Sequence, residues 1–392
     1  MQKIIQNKKY WSLAYLILVV FFLSACSMNS NVSQLDTVED VQDESGNELS
    51  QVETVTTPKQ VESVTIRSIG DILVHDTVYQ DAYNGESYNF DHMFDGVREY
   101  LQNADITTAN LETIAAGSVF GPTTYPAFNA PEEIIDALQN AGVDIVNNAT
   151  NHTMDYGVEG VYASINALNE RGMKYIGSYE SWEDYNTPRI IEVGDISVGF
   201  LSYANDANGN YVPEDQAYTL SLIDTELMPL EIERLNSLVD VSVVFLHNGE
   251  EYDYLPSYWQ LEVMQIARDA GANFVLGGHP HYIQPFVQYS SSQGAMFSHG
   301  NFLTGQYELE TKIGGITEYT FVKYSNGDIE LDSMKFMPTY NLGMPETSIY
   351  SVIPLADAGE YGVPDADFLY QDITQRMTLY TNQVEVVEYL DE

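Results

Sequence analysis

Cysteine and basic residues are scarce in this chain of 392 residues. The single cysteine, Cys26, excludes an internal disulfide and a cysteine-ligated zinc site in the body of the chain. Fifteen Lys and Arg against 58 Asp and Glu give a formal net charge of −43. This charge repels nucleic acid and other polyanions at long range, so we expect no nucleic-acid partner. Screening over about 8–10 Å at ordinary salt still allows a local metal or basic pocket to bind an anion.

The one cysteine follows a segment that is typical of a secretory signal. Three lysines precede the apolar run Leu13–Leu23, which is short for a membrane-spanning helix of about 20 residues. The run ends in Leu23-Ser24-Ala25-Cys26, which resembles a bacterial lipobox. The resemblance implies a lipoprotein signal peptide over residues 1–25 and lipidation of Cys26. The protein would then be anchored by lipid on the extracytoplasmic face of the bacterial cell membrane. A plain signal anchor with an incidental cysteine is the alternative.

Composition divides the rest of the chain into three parts. Residues 26–61 are polar and acidic and lack an apolar period, which predicts a disordered acidic tether rather than a short ordered extension. Residues 62–340 carry the periodic apolar segments of one folded domain. Residues 341–392 are predicted to be a C-terminal extension with a helix at Leu369–Tyr380 and an acidic tail.

Strands, polar turns and helices alternate along the body, which is typical of an α/β fold with a central sheet. Strands are predicted at Val64–Ile69, Asp105–Ala109, Val143–Val146, Val198–Ser202, Val241–Leu246 and Asn273–Leu276. Helices are predicted at Met93–Ala104, Pro131–Asn140, Val158–Arg171 and Leu255–Ala270. After His281 the pattern favours hairpins and an antiparallel sheet. A sandwich of two sheets flanked by helices fits the whole order.

Five polar turns contain five of the seven histidines of the chain. The turns are Gly70–His75, Asn110–Glu112, Asn147–His152, His247–Tyr252 and Gly277–His281. All but one closely follow an apolar, β-branched run, and a parallel sheet presents ligands and catalytic groups at the carboxyl ends of its strands. Histidine, carboxylate and asparagine are the ligand set of hydrolytic divalent metals. The turns therefore predict a metal-dependent active site, with two metals.

The turn at Gly277–His281 carries two histidines, His279 and His281. In extended backbone two residues this far apart point to the same side, so they could bind neighbouring metals or one metal. The glycines before them allow close approach of the backbone. A pair of turn histidines without a metal is the alternative.

The other turns offer further candidate metal ligands, each with a structural explanation as its alternative. His247 directly follows a predicted strand, where a histidine is often a hydrogen-bonded core group. Asp71 and Glu112 also follow strands, where acidic residues can cap helices. Asn147–His152, with Asp155 three residues on, has many side-chain amides, although asparagine-rich turns are common.

Six motifs occur in a fixed order between about Val64 and Phe302. They are Gly70-Asp71, Asn110-Leu111-Glu112, Asn151-His152 with Asp155-Tyr156-Gly157, His247-Asn248-Gly249-Glu250-Glu251-Tyr252, Gly278-His279-Pro280-His281 with Gln284-Pro285, and Gly300-Asn301-Phe302. Together they resemble the CapA family of capsule or poly-γ-glutamate synthesis proteins, which is similar to calcineurin-like metallophosphoesterases. The resemblance implies a four-layer α/β/β/α metallophosphoesterase-like sandwich. It also implies two divalent metal ions, which could be Mn, Zn or Fe.

The resemblance also assigns roles to particular residues. The implied metal ligands are Asp71, Glu112, Asn151, His247, His279 and His281. Glu112 stands where the related phosphoesterases carry a bridging aspartate. His152 resembles the catalytic histidine that contacts the leaving group, and Asp155 could orient it by accepting a hydrogen bond.

This chain departs from the phosphoesterase pattern at three positions. Leu73 stands where a histidine is expected, and His75 could replace that histidine as a metal ligand. Glu112 is longer than the expected aspartate, and His299 stands in a turn that is usually filled by an apolar residue. These departures leave the metal and the reaction open.

Three functions remain after this reading of the sequence. The first is a surface-anchored metallohydrolase of a phosphoester or related cell-envelope bond. The second is a protein that makes, exports or tethers an anionic capsule polymer, with membrane-bound capsule synthesis proteins as partners. The third is a non-catalytic scaffold that binds or tethers the polymer. Tyrosines near the motifs could line a groove for a sugar or peptide polymer, although packing is their more common role, and substrate-binding residues are left unassigned.

Overall fold

A computed structural model of the protein describes residues 58–391. The predicted signal peptide, the lipidation site at Cys26 and the predicted tether up to residue 57 lie outside the described residues. Within the described range, no helix combines the length and the apolar composition that crossing a membrane requires. The lipid anchor stays a prediction from the sequence.

Seventeen strands form in the described part of the chain. In chain order they are β1 (Gln60–Leu73), β2 (Ile106–Asn110), β3 (Ile114–Ala115), β4 (Asn129–Ala130), β5 (Ile145–Asn147), β6 (Lys174–Ile176), β7 (Arg189–Val193), β8 (Ile196–Ala204), β9 (Val241–His247), β10 (Phe274–Gly278), β11 (Ile283–Ser290), β12 (Gln293–His299), β13 (Asn301–Thr304), β14 (Ile313–Tyr324), β15 (Ile329–Leu342), β16 (Ser351–Pro354) and β17 (Val384–Val386). Each strand predicted before His281 corresponds to one of these.

Nine α-helices lie between or after these strands in the described residues. They are α1 (Asp76–Ala82), α2 (Arg98–Gln102), α3 (Gly117–Phe120), α4 (Glu133–Ala141), α5 (Gly157–Arg171), α6 (Trp182–Asn186), α7 (Leu227–Asn236), α8 (Tyr258–Asp269) and α9 (Ala366–Met377). Short 3₁₀ helices occupy Asp91–Phe94, Glu214–Thr219, Leu309–Lys312 and Leu355–Tyr361.

Two large sheets form the centre of the molecule. The nine-stranded sheet has the order β16-β15-β14-β1-β2-β5-β6, with β13 beside β1 and β17 beside β15. The six-stranded sheet has the order β11-β12-β10-β9-β8-β7. Each sheet contains a run of neighbouring parallel strands: β1, β2, β5 and β6 in one, and β8, β9 and β10 in the other. The hairpins expected after His281 form as β11–β12 and β14–β15.

Alternate side chains of β9 point to two different hydrophobic cores, as the period of a strand requires. Val243 and Phe245 pack in the core between the two sheets. Val244 and Leu246 pack in a second core, which includes Met264 of α8. A third core lies between the nine-stranded sheet and helices α4 and α5. Three cores between four layers make the α/β/β/α sandwich, so the predicted fold class is confirmed.

Helices α4 and α5 show why the sequence specifies these layers. The buried residues of α4 include Ile134, Leu138 and Ala141, which lie on one face at helical spacing. Each helix ends at a glycine with a left-handed backbone, Gly142 with φ 106° and Gly172 with φ 70°. Glycine adopts this conformation without a steric cost, so the chain can turn into the next strand.

The segment after residue 340 is built into the same fold. Strand β15 continues to Leu342, β16 pairs with it antiparallel, and β17 pairs with it parallel. Ile373 and Met377 of α9 are buried in the core between the sheets. The guanidinium of Arg67, which is buried in β1, binds the carboxylate of Asp391. The segment expected as an extension therefore completes the sheet and its core.

Candidate metal centre

The predicted site residues lie at the carboxyl ends of the parallel strands. Asp71 pairs with Asn110 across β1 and β2, and Asn110 pairs with Asn147 across β2 and β5. In the other sheet, His247 at the end of β9 pairs with Gly278 at the end of β10. The two sheets thus present their strand ends to one shared region.

Asp71, Glu112 and His281 form a first group that could hold a metal ion, with ligand atoms within 4.8 Å of one another. All three side chains are buried. Nδ1 of His281 lies 3.3 Å from Oδ2 of Asp71 and 3.9 Å from Oε2 of Glu112. Two carboxylates and an imidazole at this spacing suit Mn, Zn or Fe.

Glu112, His247 and His279 form a second group within the same 4.8 Å limit. Nε2 of His247 lies 3.3 Å from Oε1 of Glu112 and 2.9 Å from Oδ1 of Asn151. Asn151 therefore adds an amide oxygen beside this group. Glu112 belongs to both groups, one oxygen toward each, which is the arrangement of a bridging carboxylate.

Glu112 is fully buried, yet neither of its carboxylate oxygens has a hydrogen-bond partner among the described residues. Nδ1 of His279 and Oδ2 of Asp71 are buried and unpartnered in the same way. Buried polar atoms without partners are costly, and a metal ion would satisfy them. These residues therefore fit a pair of divalent ions.

The charges of the centre also favour a cation. Burial, together with the negative charge of Asp71, raises the pKa of Glu112 well above its usual value. Burial alone would lower the pKa of His281, but the charges of Glu112 and Asp71 raise it to about 9. Without a metal the site thus draws a proton onto His281. A divalent ion would supply that positive charge directly.

Buried amides hold two of the candidate ligands in place. Nδ2 of Asn110 donates to Oδ1 of Asp71 (2.6 Å) and to Nδ1 of His247 (3.2 Å). Nδ2 of Asn147 donates to Oδ1 of Asn110 (2.6 Å), and the hydroxyl of Ser202 donates to Oδ1 of Asn147. Ser202 lies on β8, so the network joins both sheets and fixes the orientation of ligands from each.

The close packing of these groups requires glycine at position 278. A Cβ atom there would lie 2.8 Å from Nδ2 of Asn110 and 3.0 Å from Oδ1 of Asp71. Gly278 precedes His279 directly, so the backbone of the histidine turn can approach the first strand.

His152 and Asp155 form a separate pair beside the two groups. Nδ1 of His152 lies 2.8 Å from Oδ2 of Asp155, and the same oxygen accepts the backbone N–H of Phe128 at 2.7 Å. The Phe128 ring packs edge-on against His152, with ring centroids 4.7 Å apart. Asp155 thus fixes the imidazole of His152 through its Nδ1. The charge of His152 acts on Glu112, so the pair belongs to the same centre.

His75 lies in neither of the two groups that could hold a metal. Strand β1 ends at Leu73, and the chain turns at His75 into α1. Nδ1 of His75 accepts the backbone N–H of Gly305 at 3.1 Å, and its ring lies 4.9 Å from that of Phe128. Its predicted role as a metal ligand has no geometric support among the described residues.

Several residues of the centre were not assigned from the sequence. Asn110 and Asn301 contact candidate ligands directly, and Oδ1 of Asn301 lies 2.9 Å from Nδ1 of His281. Asn147 and Ser202 support Asn110. A sequence pattern could have identified Asn110 and Asn147. Each is the last residue of a strand, and such positions lie beside the predicted ligands at the same edge of the sheet. Ser202 gave no such signal, because its contact is made across the two sheets.

The family model described as "Bacterial capsule synthesis protein PGA_cap" matches residues 65–306. The chain belongs to this family. All six motifs and both candidate metal groups lie inside the matched range, so the PGA_cap region contains the whole centre.

Two curated capsule proteins are similar to this chain in sequence. The chain is 29% identical to "Capsule biosynthesis protein CapA" of Bacillus anthracis, over 67% of this chain and 64% of that protein. It is 23% identical to "PGA biosynthesis protein CapA" of Bacillus subtilis (strain 168), over 63% of this chain and 65% of that protein. In both cases the match spans less than two thirds of the relative.

Solved structures of nucleotidases show a distant likeness to this PGA_cap protein. A putative 5′-nucleotidase from Staphylococcus aureus has a TM-score of 0.47 and 12% identity, covering 75% of this chain and 54% of that one. The NAD nucleotidase of Haemophilus influenzae has a TM-score of 0.45 and 11% identity, covering 84% of this chain and 65% of that one. Likenesses this distant do not bear on activity.

Proposed function

We propose that this protein is a lipid-anchored hydrolase of the bacterial cell envelope that uses two divalent metal ions. It would cleave a phosphoester or a related bond during capsule or poly-γ-glutamate synthesis. The observation that carries the proposal is Glu112, which is fully buried with both oxygens unpartnered between two groups of candidate ligands. A structural carboxylate would have hydrogen-bond partners there.

The chain would hold the two ions with the residues already described. Asp71, Glu112 and His281 would hold one ion, and Glu112, His247 and His279 the other, with Asn151 beside the second. When bound, two such ions stabilise the charge of a phosphoryl group and activate water. These ligand types are compatible with Mn, Zn and Fe and do not distinguish between the three metals.

His152 would act on the leaving group. Its Nδ1 is engaged by Asp155, so Nε2 is the nitrogen that can give a proton to the departing oxygen. Asp155 is itself fixed by the backbone N–H of Phe128. The hydrogen bond from Phe128 would keep the carboxylate of Asp155 aligned with the imidazole of His152 during the reaction.

The location and the partners are proposed from the signal-like segment of the sequence and from the family. The predicted lipidation of Cys26 would hold the protein on the outer face of the cell membrane, next to membrane-bound capsule synthesis proteins. The names of both curated relatives support a capsule or poly-γ-glutamate polymer as the partner. Two metal ions would offset the strong negative charge locally and let an anionic group approach.

Metal analysis of the intact chain, purified without chelator or affinity metal, tests the proposal. We expect close to two divalent ions per chain, and loss of both when His279 and His281 are changed to alanine. His92→Ala is a matched control, because His92 pairs with Asp81 outside both groups. A chain that binds no Mn, Zn or Fe when offered them would favour the non-catalytic polymer-binding or tethering scaffold instead.

A further inference from the structure

Among the described residues other than Gly, Asn and Asp, positive φ angles occur at the candidate metal centre. Six non-glycine residues in the described chain have positive φ angles. Three of them are Asn or Asp, which tolerate this conformation best. The other three are Tyr252 (φ 64°), His279 (φ 95°) and His281 (φ 60°), and all lie at the centre. The two histidines are candidate ligands, so Tyr252 is the residue whose strain is unexplained.

Several contacts tie Tyr252 to the histidine turn. Its backbone N–H donates to the carbonyl of Pro280 at 2.8 Å. Its ring lies 5.7 Å from the His281 ring, measured between centroids. Burial raises the pKa of its phenol, and the carboxylates of Glu251 and Glu112 raise it further. The phenol is therefore close to the centre and stays protonated.

Tyr252 is partly exposed to solvent beside the histidine turn. The side chain of Tyr252 is 46% exposed. Its oxygen accepts a long hydrogen bond from Nε2 of Gln306 (3.4 Å). The phenolic hydrogen has no acceptor among residues 58–391, so the O–H is free to donate to a bound molecule.

Further tyrosines continue outward from Tyr252. The rings of Tyr252 and Tyr282 lie 5.8 Å apart, and those of Tyr282 and Tyr254 lie 5.1 Å apart. We call these three residues the tyrosine row. Beyond it, the guanidinium of Arg376 lies 4.3 Å from the centre of the Tyr254 ring. The row offers partly exposed aromatic faces that lead away from the metal centre.

The charges around the tyrosine row select against an anion. The carboxylates of Glu251, Glu308 and Glu310 lie close enough to the row to raise the pKa of its phenols. Arg376 is the basic residue that contacts the row, and Asp372 and Glu310 already neutralise it. The row therefore repels a ligand that carries negative charge.

We propose that Tyr252 is a substrate-binding residue and that the tyrosine row binds an uncharged sugar ring as the leaving group of the substrate. The phenolic O–H of Tyr252 donates to an oxygen of the phosphoryl group at the metal centre. The aromatic faces cover the apolar face of the sugar, as aromatic side chains do in small-molecule sites. The inference rests on the proposed hydrolase and specifies its substrate as a sugar phosphate.

The first test separates a binding role of Tyr252 from a packing role. Tyr252→Phe removes only the hydroxyl and should lower kcat/KM for p-nitrophenyl phosphate by about tenfold, with metal content unchanged. Tyr252→Asn introduces a residue that tolerates the left-handed backbone at this position. In the absence of metal, the melting temperature of this variant should be no lower than that of the wild-type chain. Its loss of activity should be larger than that of Tyr252→Phe. Tyr361→Phe, an exposed tyrosine outside the row, should change neither property. A lowered melting temperature for Tyr252→Asn, with unchanged turnover for Tyr252→Phe, would show a packing role and overturn the inference.

The second test compares glucose 1-phosphate with glucuronic acid 1-phosphate, which has the same ring with an added carboxylate. Calorimetric binding to the Mn-loaded chain should favour glucose 1-phosphate by about tenfold at low salt, and the preference should shrink as salt rises. Tyr282→Ala should weaken binding of both sugars. Equal affinities would overturn the inference.

Hydrolysis separates failure of the inference from failure of the proposed function. If p-nitrophenyl phosphate is hydrolysed and neither sugar phosphate is bound, the inference is wrong and the hydrolase stands. If the loaded chain hydrolyses no phosphoester and binds neither sugar, both are wrong.

Discussion

Oε1 of Glu112 lies 3.3 Å from Nε2 of His247. The other oxygen of the same carboxylate faces His281, at 3.9 Å from its Nδ1. The two histidines belong to different groups of candidate ligands, so Glu112 is the one residue that both groups require. A substitution of Glu112 should therefore affect both metal positions, whereas a substitution of either histidine directly affects one.

Glu112→Gln should therefore lose both metals and not one of them. The amide retains the volume of the side chain but removes the negative charge that a bridging ligand supplies. Metal content, measured by mass spectrometry after gel filtration, should fall from close to two ions to well below one per chain. Glu262→Gln, an exposed glutamate on α8, is the control and should retain both ions. Retention of two ions by Glu112→Gln would exclude a bridging role.

His152→Ala should lower turnover without loss of metal. The proton donor to the leaving group is removed, and general acid catalysis of this kind contributes about 10²–10⁴-fold. Steady-state kinetics on p-nitrophenyl phosphate and metal analysis of the same sample are the measurements. A fall in metal content would show that His152 is a ligand and contradict the role assigned here.

Asp155→Asn should have a smaller effect than His152→Ala. The amide keeps a hydrogen-bonding oxygen but loses the charge that orients the imidazole, and such partners are typically worth about 10–100-fold. The fall should appear in kcat, because the imidazole of His152 is no longer held in one orientation toward the leaving group. Wild-type kinetics at every pH would mean that Asp155 only fixes the Phe128 backbone.

Ser202→Ala should weaken metal binding although Ser202 touches no candidate ligand. Its hydroxyl supports Asn147, which supports Asn110, which holds Asp71 and His247. Loss of such support typically costs about 10–100-fold in metal affinity, measured by competition with a chelator. Ser242→Ala removes another buried hydroxyl, hydrogen-bonded to Asn273, and is the matched control. Equal losses in both variants would mean that the effect is general destabilisation.

His299 should make the metal-free protein less stable in acid. Burial lowers the pKa of His299 to about 4, while the unfolded chain has a value near 6.5. Between these values the unfolded state binds a proton that the folded state does not, so the free energy of unfolding falls as pH falls.

His299→Leu should remove this part of the acid sensitivity. The variant loses the hydrogen bond to the carbonyl of Gly277 and should be less stable than the wild-type chain at pH 7. At pH 4.5 the free energy of unfolding of the wild-type chain should exceed that of the variant by about 2 kcal/mol less than at pH 7. Urea unfolding with the metal removed measures both values. A difference that is the same at both pH values would contradict the assigned titration.

The sequence predicted the fold and the position of the centre because both depend on local patterns. Strand β9 is a run of apolar residues ending in His247, and α5 ends at a glycine as its periodicity predicts. Once the strands of a sheet are parallel, their carboxyl ends must lie at the same edge, so Asp71 lies in line with Asn110 and Asn147, and His247 lies beside Gly278.

The parts that the sequence did not predict depend on contacts between distant segments. The helix predicted at Met93–Ala104 forms instead as a 3₁₀ turn over Asp91–Phe94 and the short α2. Gly96 lies between them, where a Cβ would be 2.7 Å from the carbonyl of Val352 on β16. Similarly, the three residues of β17 carry no local signal that they will pair with β15. The contact of Ser202 with Asn147 exists only once the two sheets have packed.

The central position of β1 has a mechanical consequence. This strand begins at Gln60, close to the first described residue. It is bonded to β14 over Gln60–Ile69 and, on its other side, to β2 over Ile66–Asp71. Any pull transmitted through the preceding residues would load both rows of hydrogen bonds in shear, so that many must break together. A strand at the sheet edge would instead peel away one bond at a time. A protein held by its amino-terminal end to a surface could thus bear drag on a bound polymer without disturbing Asp71 at the far end of the same strand.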